Sequence, residues 1–253
     1  MSKTKHWINF CGVSSESIAG LLINELPAIQ MTPKRINKIE IEGRDGDIIE
    51  ELGYMAYDKP VQISLTVGFD VDQVISWLNN SGPIIFSNEP NKVYTATVYD
   101  TVSFERLVRF RKANIKFHVQ PFKTLLNDEI SFDGGYLKNI TVTNKGNIYS
   151  RPVIVADIGT TSQVTIIIND EYVHFFFNKE EGKTYTATFN LESNEITVTD
   201  NTGEKVTLTR VIYSMLGDFF ELQPGANTIT VERYGSLSSD ISAMTIKNAS
   251  RWL

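Results

Sequence analysis

The sequence predicts a mostly β protein built as two domains, and three observations carry that reading. Short runs in which apolar and polar residues alternate, separated by turn residues, recur along nearly the whole chain. Only one stretch, Asp70–Asn80, has convincing helical spacing. Asp133-Gly134-Gly135 is the best candidate linker, so the expected domains are residues 1–133 and 134–253. A chain of 253 residues has room for two domains of ordinary size.

Taken in order, Trp7, Ile8, Phe10 and Val13 suggest an opening strand that closes at Gly12–Ser15. Ile18–Leu26 is apolar but too short to assign to helix or strand. Pro27 and Pro33 bracket an extended connection. Lys38–Leu52 then reads as a hairpin, with Ile39 and Ile41 alternating with Glu40 and Glu42. Its tip is Gly43-Arg44-Asp45-Gly46, because glycine accepts a positive φ without steric cost. Arg44 and Asp45 are either solvated turn residues or the end of an arm docked on a neighbouring subunit. The second option arises because the strands offer little apolar surface for a core of their own.

Val61–Phe69 alternates as a strand and leads into the helix. Val71, Val74, Ile75 and Leu78 fall on one helical face, with Asp70 as N-cap, Gly82-Pro83 as terminator and Trp77 flanking the stripe as a packing residue. Strands are expected at Ile84–Phe86, Val93–Val98, Val102–Phe110 and Ile115–Val119, the last closing at Gln120-Pro121-Phe122. Arg106, Arg109, Arg111, Lys112 and Lys116 form a local basic cluster, in which strand alternation puts Arg109 and Arg111 on one face. That face is either solvated and paired with nearby acids, or a subunit contact or lumen lining.

Lys138–Asp157 opens the second half, alternating through Ile140, Val142 and Asn144, breaking at Lys145-Gly146-Asn147 and restarting as Val153-Ile154-Val155. Beyond it lie almost only strand signals. Val164–Ile168 and Tyr172–Phe177 flank the Asn169-Asp170 turn, and Thr184–Leu191 and Glu195–Thr199 follow. Val206–Tyr213, Phe219–Leu222, Thr228–Arg233 and a last strand around Ala243–Lys247 complete the set. Short strands at this spacing predict a β-sandwich.

Composition excludes several functions. Charge is balanced between the halves, with 14 Lys/Arg against 17 Asp/Glu in residues 1–133 and 10 against 13 in the rest. No basic domain is present to grip nucleic acid by phosphate neutralisation. Cys11 is the only cysteine, so no internal disulfide can form, and His6, His118 and His174 have no metal-ligand spacing. The first ten residues hold two lysines and no apolar stretch, so no signal peptide is expected, and no run suits a membrane span. The adjacent acids Glu50-Glu51, Asp170-Glu171 and Glu180-Glu181 point to opposite strand faces and make no glycosidase pair. Asp45-Gly-Asp47 and Asp70-Val-Asp72 are only fragments of a calcium loop. No nucleophile elbow, P-loop or zinc motif occurs, so neither an enzyme nor a cofactor is expected.

In their order and spacing these landmarks resemble the distal tail (Dit) family of long-tailed phages that infect Gram-positive bacteria. The residues that carry the resemblance are the N-terminal aromatic strand, Gly43-Arg44-Asp45-Gly46, Trp77-Leu78 and Ile84-Ile85-Phe86-Ser87. Phe117–Phe122, Asn144-Lys145-Gly146 with Arg151-Pro152, Pro224-Gly225-Ala226-Asn227-Thr228-Ile229 and Arg251-Trp252 continue it. The resemblance implies a structural protein of the virion, made in the host cytoplasm and placed at the distal end of the tail. It implies an N-terminal tail-tube-like β-sandwich domain with one α-helix and a projecting hairpin arm, and a C-terminal galectin-like or carbohydrate-module-like sandwich. It further implies a homo-hexameric ring, one or two per tail, whose arm embraces the neighbouring subunit. Such a ring would join the tail-tube protein to the tail-associated host-attachment protein, with DNA only passing through its lumen. Gly43, Arg44, Asp45, Gly46, Arg109 and Arg111 are the subunit-interface candidates. A glycan-binding baseplate or adhesin module is the alternative, but a galectin-like shape does not bring sugar binding with it. The second half offers only His174 and Trp252 towards a lectin site, with no adjoining polar cluster, so no glycan site is expected.

Overall fold

The computed structural model describes residues 5–66, 68–106, 111–133, 137–214, 220–234, 241 and 243–253. It is mostly β and divides into two compact units, Met1–Leu126 with Leu253, and Asn127–Trp252. The division falls before the expected linker. Glu129–Asp133 pairs with Ala243–Lys247, from Glu129 against Lys247 to Asp133 against Ala243, so these residues belong to the second unit. Gly134 and Gly135 lie outside the described residues.

The first unit runs β1 (Ile8–Phe10), β2 (Val13–Ser14), β3 (Leu21–Glu25), β4 (Lys34–Ile39), β5 (Ile48–Tyr54), β6 (Tyr57–Leu65) and α1 (Val71–Leu78). It continues with β7 (Ser81–Phe86), β8 (Lys92–Thr97), β9 (Glu105–Arg106) and β10 (Arg111–Leu125). The main antiparallel sheet follows the path β2-β1-β7-β8-β10-β6-β3. Strand alternation decides which side chains it buries: Ala113, Ile115, Phe117 and Val119 of β10 enter the core, whereas Asn114 and Lys116 between them are exposed. Phe117 packs edge-on against Phe10 at 5.3 Å and against Phe86 at 6.1 Å. Such aromatic pairs add about 0.5–1.5 kcal/mol each beyond their buried area.

Three expectations for this unit need correction. Gln120-Pro121-Phe122 does not end β10; the strand continues through a register shift between Val119 and Lys123, where proline's missing N–H does no harm. Gly82-Pro83 does not terminate the helix but sits inside β7, and α1 closes earlier, where the N–H of Asn79 reaches the Ile75 carbonyl. The apolar helical stripe is rotated from the expected one: Trp77 is a core residue, only 5% exposed, whereas Ile75 is 49% exposed. The N-cap stands as expected, with the Asp70 carboxylate accepting from the Asp72 N–H at 2.9 Å.

The second unit contains β11 (Glu129–Asp133), β12 (Ile140–Asn144), β13 (Val153–Gly159), β14 (Gln163–Ile168), β15 (Glu171–Phe177) and β16 (Tyr185–Asn190). It ends with β17 (Glu195–Asp200), β18 (Lys205–Val206), β19 (Leu208–Tyr213), β20 (Gly225–Arg233), β21 (Ala243–Lys247) and β22 (Arg251–Trp252). Two antiparallel sheets, β11-β21-β13-β16-β17-β18 and β12-β20-β14-β15-β19, share one apolar core, which is the expected sandwich. Asn169 and Asn194 adopt positive φ at the two tight turns, as asparagine does at little cost. Phe175 and Phe177 enter the core, and Phe176 stands on the opposite face against Tyr234.

Asn144 explains the break after β12. Its side chain is buried, and Nδ2 donates to the carbonyls of Ile148 (2.8 Å) and Leu222 (3.1 Å). Its Oδ1 accepts the N–H groups of Gly146 (2.9 Å) and Arg251 (3.3 Å). One amide thereby ties together three stretches of backbone, reinforcing the isolated bridge between Ser150 and Leu222 and the Asn147–Arg251 backbone hydrogen bond. The approach leaves no space at Gly146, where a Cβ would lie 1.6 Å from the Arg251 carbonyl oxygen. Gly146→Ala must therefore push two backbone segments apart, at a cost of about 1–3 kcal/mol or more. The urea midpoint of the second unit is expected to fall with the m-value unchanged.

Candidate functional site

The feature of the first unit that its own core does not explain is the hairpin β4–β5. Among the described residues these strands pair only with each other, forming a separate two-stranded sheet. The ladder runs from Lys34 against Tyr54 to Ile39 against Ile48, with a register shift between Arg35 and Ile36. The hairpin is thus longer than the expected Lys38–Leu52. Its first residues, Lys34-Arg35, carry no alternation that could announce a strand. Gly43 and Gly46 have φ of 80° and 77°, with open space around them, so backbone conformation rather than crowding requires glycine at the tip.

The arm also bears more apolar surface than expected. Ile36, Ile39, Ile41, Ile48, Ile49 and Leu52 are all exposed, Ile49 by 57%. They are spread over both faces of the ribbon, because Ile36 and Ile49 share one side and Ile39 and Ile48 the other. Charge is distributed unevenly along the chain. Strand β4 has Lys34, Arg35 and Lys38 and no acid, whereas Glu40–Glu51 holds six acids and only Arg44 as a base. The Lys34–Glu51 ion pair, 2.6 Å long, is open to solvent on both sides and screened by it, so it adds little to the hairpin.

The root of the arm, by contrast, is held firmly. The Met55 N–H donates to the Pro33 carbonyl at 2.9 Å, and the Tyr54 ring meets Phe122 edge-on at 5.3 Å. The connection from Pro27 is pinned by Asn88 Nδ2 on the Pro27 carbonyl, Lys59 Nζ on the Ala28 carbonyl and Thr32 Oγ1 on the Pro121 carbonyl. Lys59 is fully buried among the rings of Tyr57, Phe86 and Tyr94, and burial holds its pKa below the ordinary lysine value against the opposing pull of Glu89. Glu89 accepts from Lys123 Nζ at 2.7 Å and from the Tyr94 hydroxyl at 2.5 Å. Burial alone would raise its pKa, but these two hydrogen bonds outweigh that and leave it below the usual carboxylate value.

A second unpartnered surface lies beside the helix. Ile75, Leu78, Val98 and Val102 line an apolar groove of about 200 Å³, with Asn79 and Asp100 at its rim. Of the residues expected at a subunit contact, Arg111 places its guanidinium 5.6 Å from the Phe69 ring centre. Arg109 lies outside the described residues. Lys112 and Lys116 alternate onto the other face of β10, and Lys116 pairs with Asp100 at 3.4 Å. The basic cluster is therefore divided between two faces. The arm's isoleucines, the helix groove and the buried Lys59–Glu89–Lys123 group were all missed by sequence reading. For the arm the signal was present, in apolar residues set among charges; for the buried ions there was none.

Two family models match the chain: a phage tail protein RIFT-related domain over residues 17–119 and a siphovirus-type tail component C-terminal domain over residues 156–252. Between them they take in most of both units. The chain belongs to the distal tail (Dit) family of siphophages. It is a structural component of the phage tail. The Dit protein of phage SPP1, described as a paradigm of the hub adsorption apparatus in phages infecting Gram-positive bacteria, has the same fold, with a TM-score of 0.70. That alignment covers 99% of this chain and 100% of the other at 17% identity. A chain of the phage P2 baseplate in its calcium-activated conformation aligns with a TM-score of 0.50 at 8% identity, covering 98% of each. No curated protein matches.

Two outcomes follow for this Dit chain. Gly46→Val places a β-branched residue at positive φ, costing about 1–2 kcal/mol in the turn. Proteolysis within the arm should quicken while the main unfolding transition stays in place, because the tip contributes nothing to the core. Glu89, with its lowered pKa, stabilises the fold above the ordinary carboxylate pKa and loses that contribution as pH falls through its folded value. Urea midpoints measured from pH 6 downward should decline, and Glu89→Gln should flatten part of that slope. At neutral pH the same variant should cost about 3–5 kcal/mol, since it leaves Lys123 buried without its counter-charge.

Proposed function

We propose that this Dit chain assembles with copies of itself into a closed hexameric ring at the distal end of the tail. Its arm, with Gly43, Arg44, Asp45 and Gly46 at the tip, clasps the neighbouring subunit. The ring joins the tail-tube protein to the host-attachment protein and surrounds the channel through which DNA leaves, a structural and not a catalytic role. Arg109 and Arg111 are carried into this proposal as residues of a subunit contact or of the lumen. The domain division of the expected plan, a ring-forming first part and a peripheral sandwich, is part of the same proposal.

The observation that carries it is the arm. A two-stranded ribbon is marginal in water unless something covers it, yet here six branched aliphatic side chains are presented to solvent on a root fixed by partly buried hydrogen bonds. A contact between an arm on one surface and a different receiving surface on the next copy is heterologous, and repetition of such a contact generates a ring when the rotation between copies closes. The groove lined by Ile75, Leu78, Val98 and Val102 is an apolar surface that could receive such an arm. The assemblies described for the SPP1 and P2 relatives support a hub of this kind.

Light scattering behind a sizing column tests the proposal directly. A mass six or twelve times the 28.5 kDa chain is expected, with a central hole in negative-stain images. Replacing both Ile41 and Ile49 with serine should dissociate the particle while the isolated chain keeps its far-UV spectrum. A chain that remains monomeric at high concentration, even with its tail-tube and attachment partners added, would overturn the proposal.

A further inference from the structure

The rim of the second-unit sandwich holds a small polar pocket of about 140 Å³, lined by Thr160, Thr161, Ser162, Gln163, Lys179 and Arg233. Three strand ends create it. The loop 160–162 joins β13 to β14, Lys179 lies two residues beyond the end of β15, and Arg233 is the last residue of β20. The register brings these ends together, with Gln163 opposite Phe176 and Val164 opposite Arg233.

The backbone around the pocket is already engaged. The Thr161 N–H donates to the Ile158 carbonyl, while the carbonyls of Ser162 and Gln163 accept from Phe177 and Tyr234. This fastens the loop and leaves its side chains to face a ligand. Thr161 is only 4% exposed, and its Oγ1 is buried with no hydrogen-bond partner among the described residues. A buried hydroxyl without a partner is costly and calls for a role. Neither Lys179 nor Arg233 forms an ion pair with a described carboxylate, and neighbouring Lys183 takes both Glu180 and Asp200 for itself. Among the described residues the lining thus combines three hydroxyls, an amide, an ammonium and a guanidinium, with no carboxylate.

We propose that this pocket binds a phosphoryl group. Donors arranged around a small volume, with two positive charges, suit a tetrahedral oxyanion better than a planar carboxylate, and the guanidinium fork can meet two of its oxygens at once. The phosphoryl group can come as free phosphate or as the diester link of a phosphate-bearing polymer. The proposal does not rest on ring formation.

Calorimetric titration of the full chain at constant ionic strength tests this, with inorganic phosphate and a soluble poly(glycerol phosphate) as probes and chloride as control. Saturable binding of at least one probe is expected, weakened about tenfold or more by Arg233→Gln and by Lys179→Gln. Thr161→Val, which keeps the shape and removes the hydroxyl, should weaken binding without lowering the unfolding temperature. Tighter binding of the polymer identifies the diester as the ligand, and binding of inorganic phosphate alone identifies the free anion. Absence of saturable binding by both probes, or binding unaltered in all three variants, overturns the proposal.

Discussion

A β ribbon of two strands buries almost nothing, and this constraint organises the first unit. Every other strand there joins a larger sheet; among the described residues β4 and β5 have only each other. Their backbone hydrogen bonds fix direction and length, but the loss of conformational freedom is not offset by burial within the same unit. Stability for such an element has to come from outside it. Inside the chain that source is its root, where Pro33 meets Met55 and Tyr54 meets Phe122. Beyond the root, the isoleucines stay exposed to solvent, and the proposed contact with a second copy rests on them.

The root depends on an expensive device. Lys59, Glu89 and Lys123 are drawn out of water together, and the group is tolerable only because each charge is met by an opposite charge, a hydroxyl, a carbonyl or an aromatic face. Apolar packing tolerates small slips, whereas this set of bonds is satisfied in one geometry only. The result holds the Pro27–Pro33 connection in place and so aims the arm. Asn144 serves the second unit in a comparable way, joining stretches of chain with a single amide where strand pairing has stopped.

Local patterning carried far into the structure where one interaction dominates. The sandwich strands were legible because period-two alternation against a core leaves a strong trace, and Asn169-Asp170 and Gly43–Gly46 were legible because positive φ selects few residue types. The failures share a cause. Pro121 reads as a strand end because proline lacks a donor, but a register shift absorbs the defect. The helical stripe was misplaced because Val71, Val74, Ile75 and Leu78 satisfy the spacing while Trp77, wide enough to reach Phe10, turns the helix toward the core instead. The linker was placed at the glycines, but the partner of Glu129–Asp133 is more than a hundred residues away in the sequence.

By itself the sequence determined the class of fold, the two-part plan, the single capped helix, the hairpin with its glycine tip and the family order of landmarks. All of these rest on interactions between residues close in the chain, or on one face of one element. Tertiary structure decided which isoleucines remain uncovered, which cations are buried, and which loop ends converge on Thr161. Each of those depends on burial, and burial of a side chain is set by segments distant in sequence, whose approach no local pattern records.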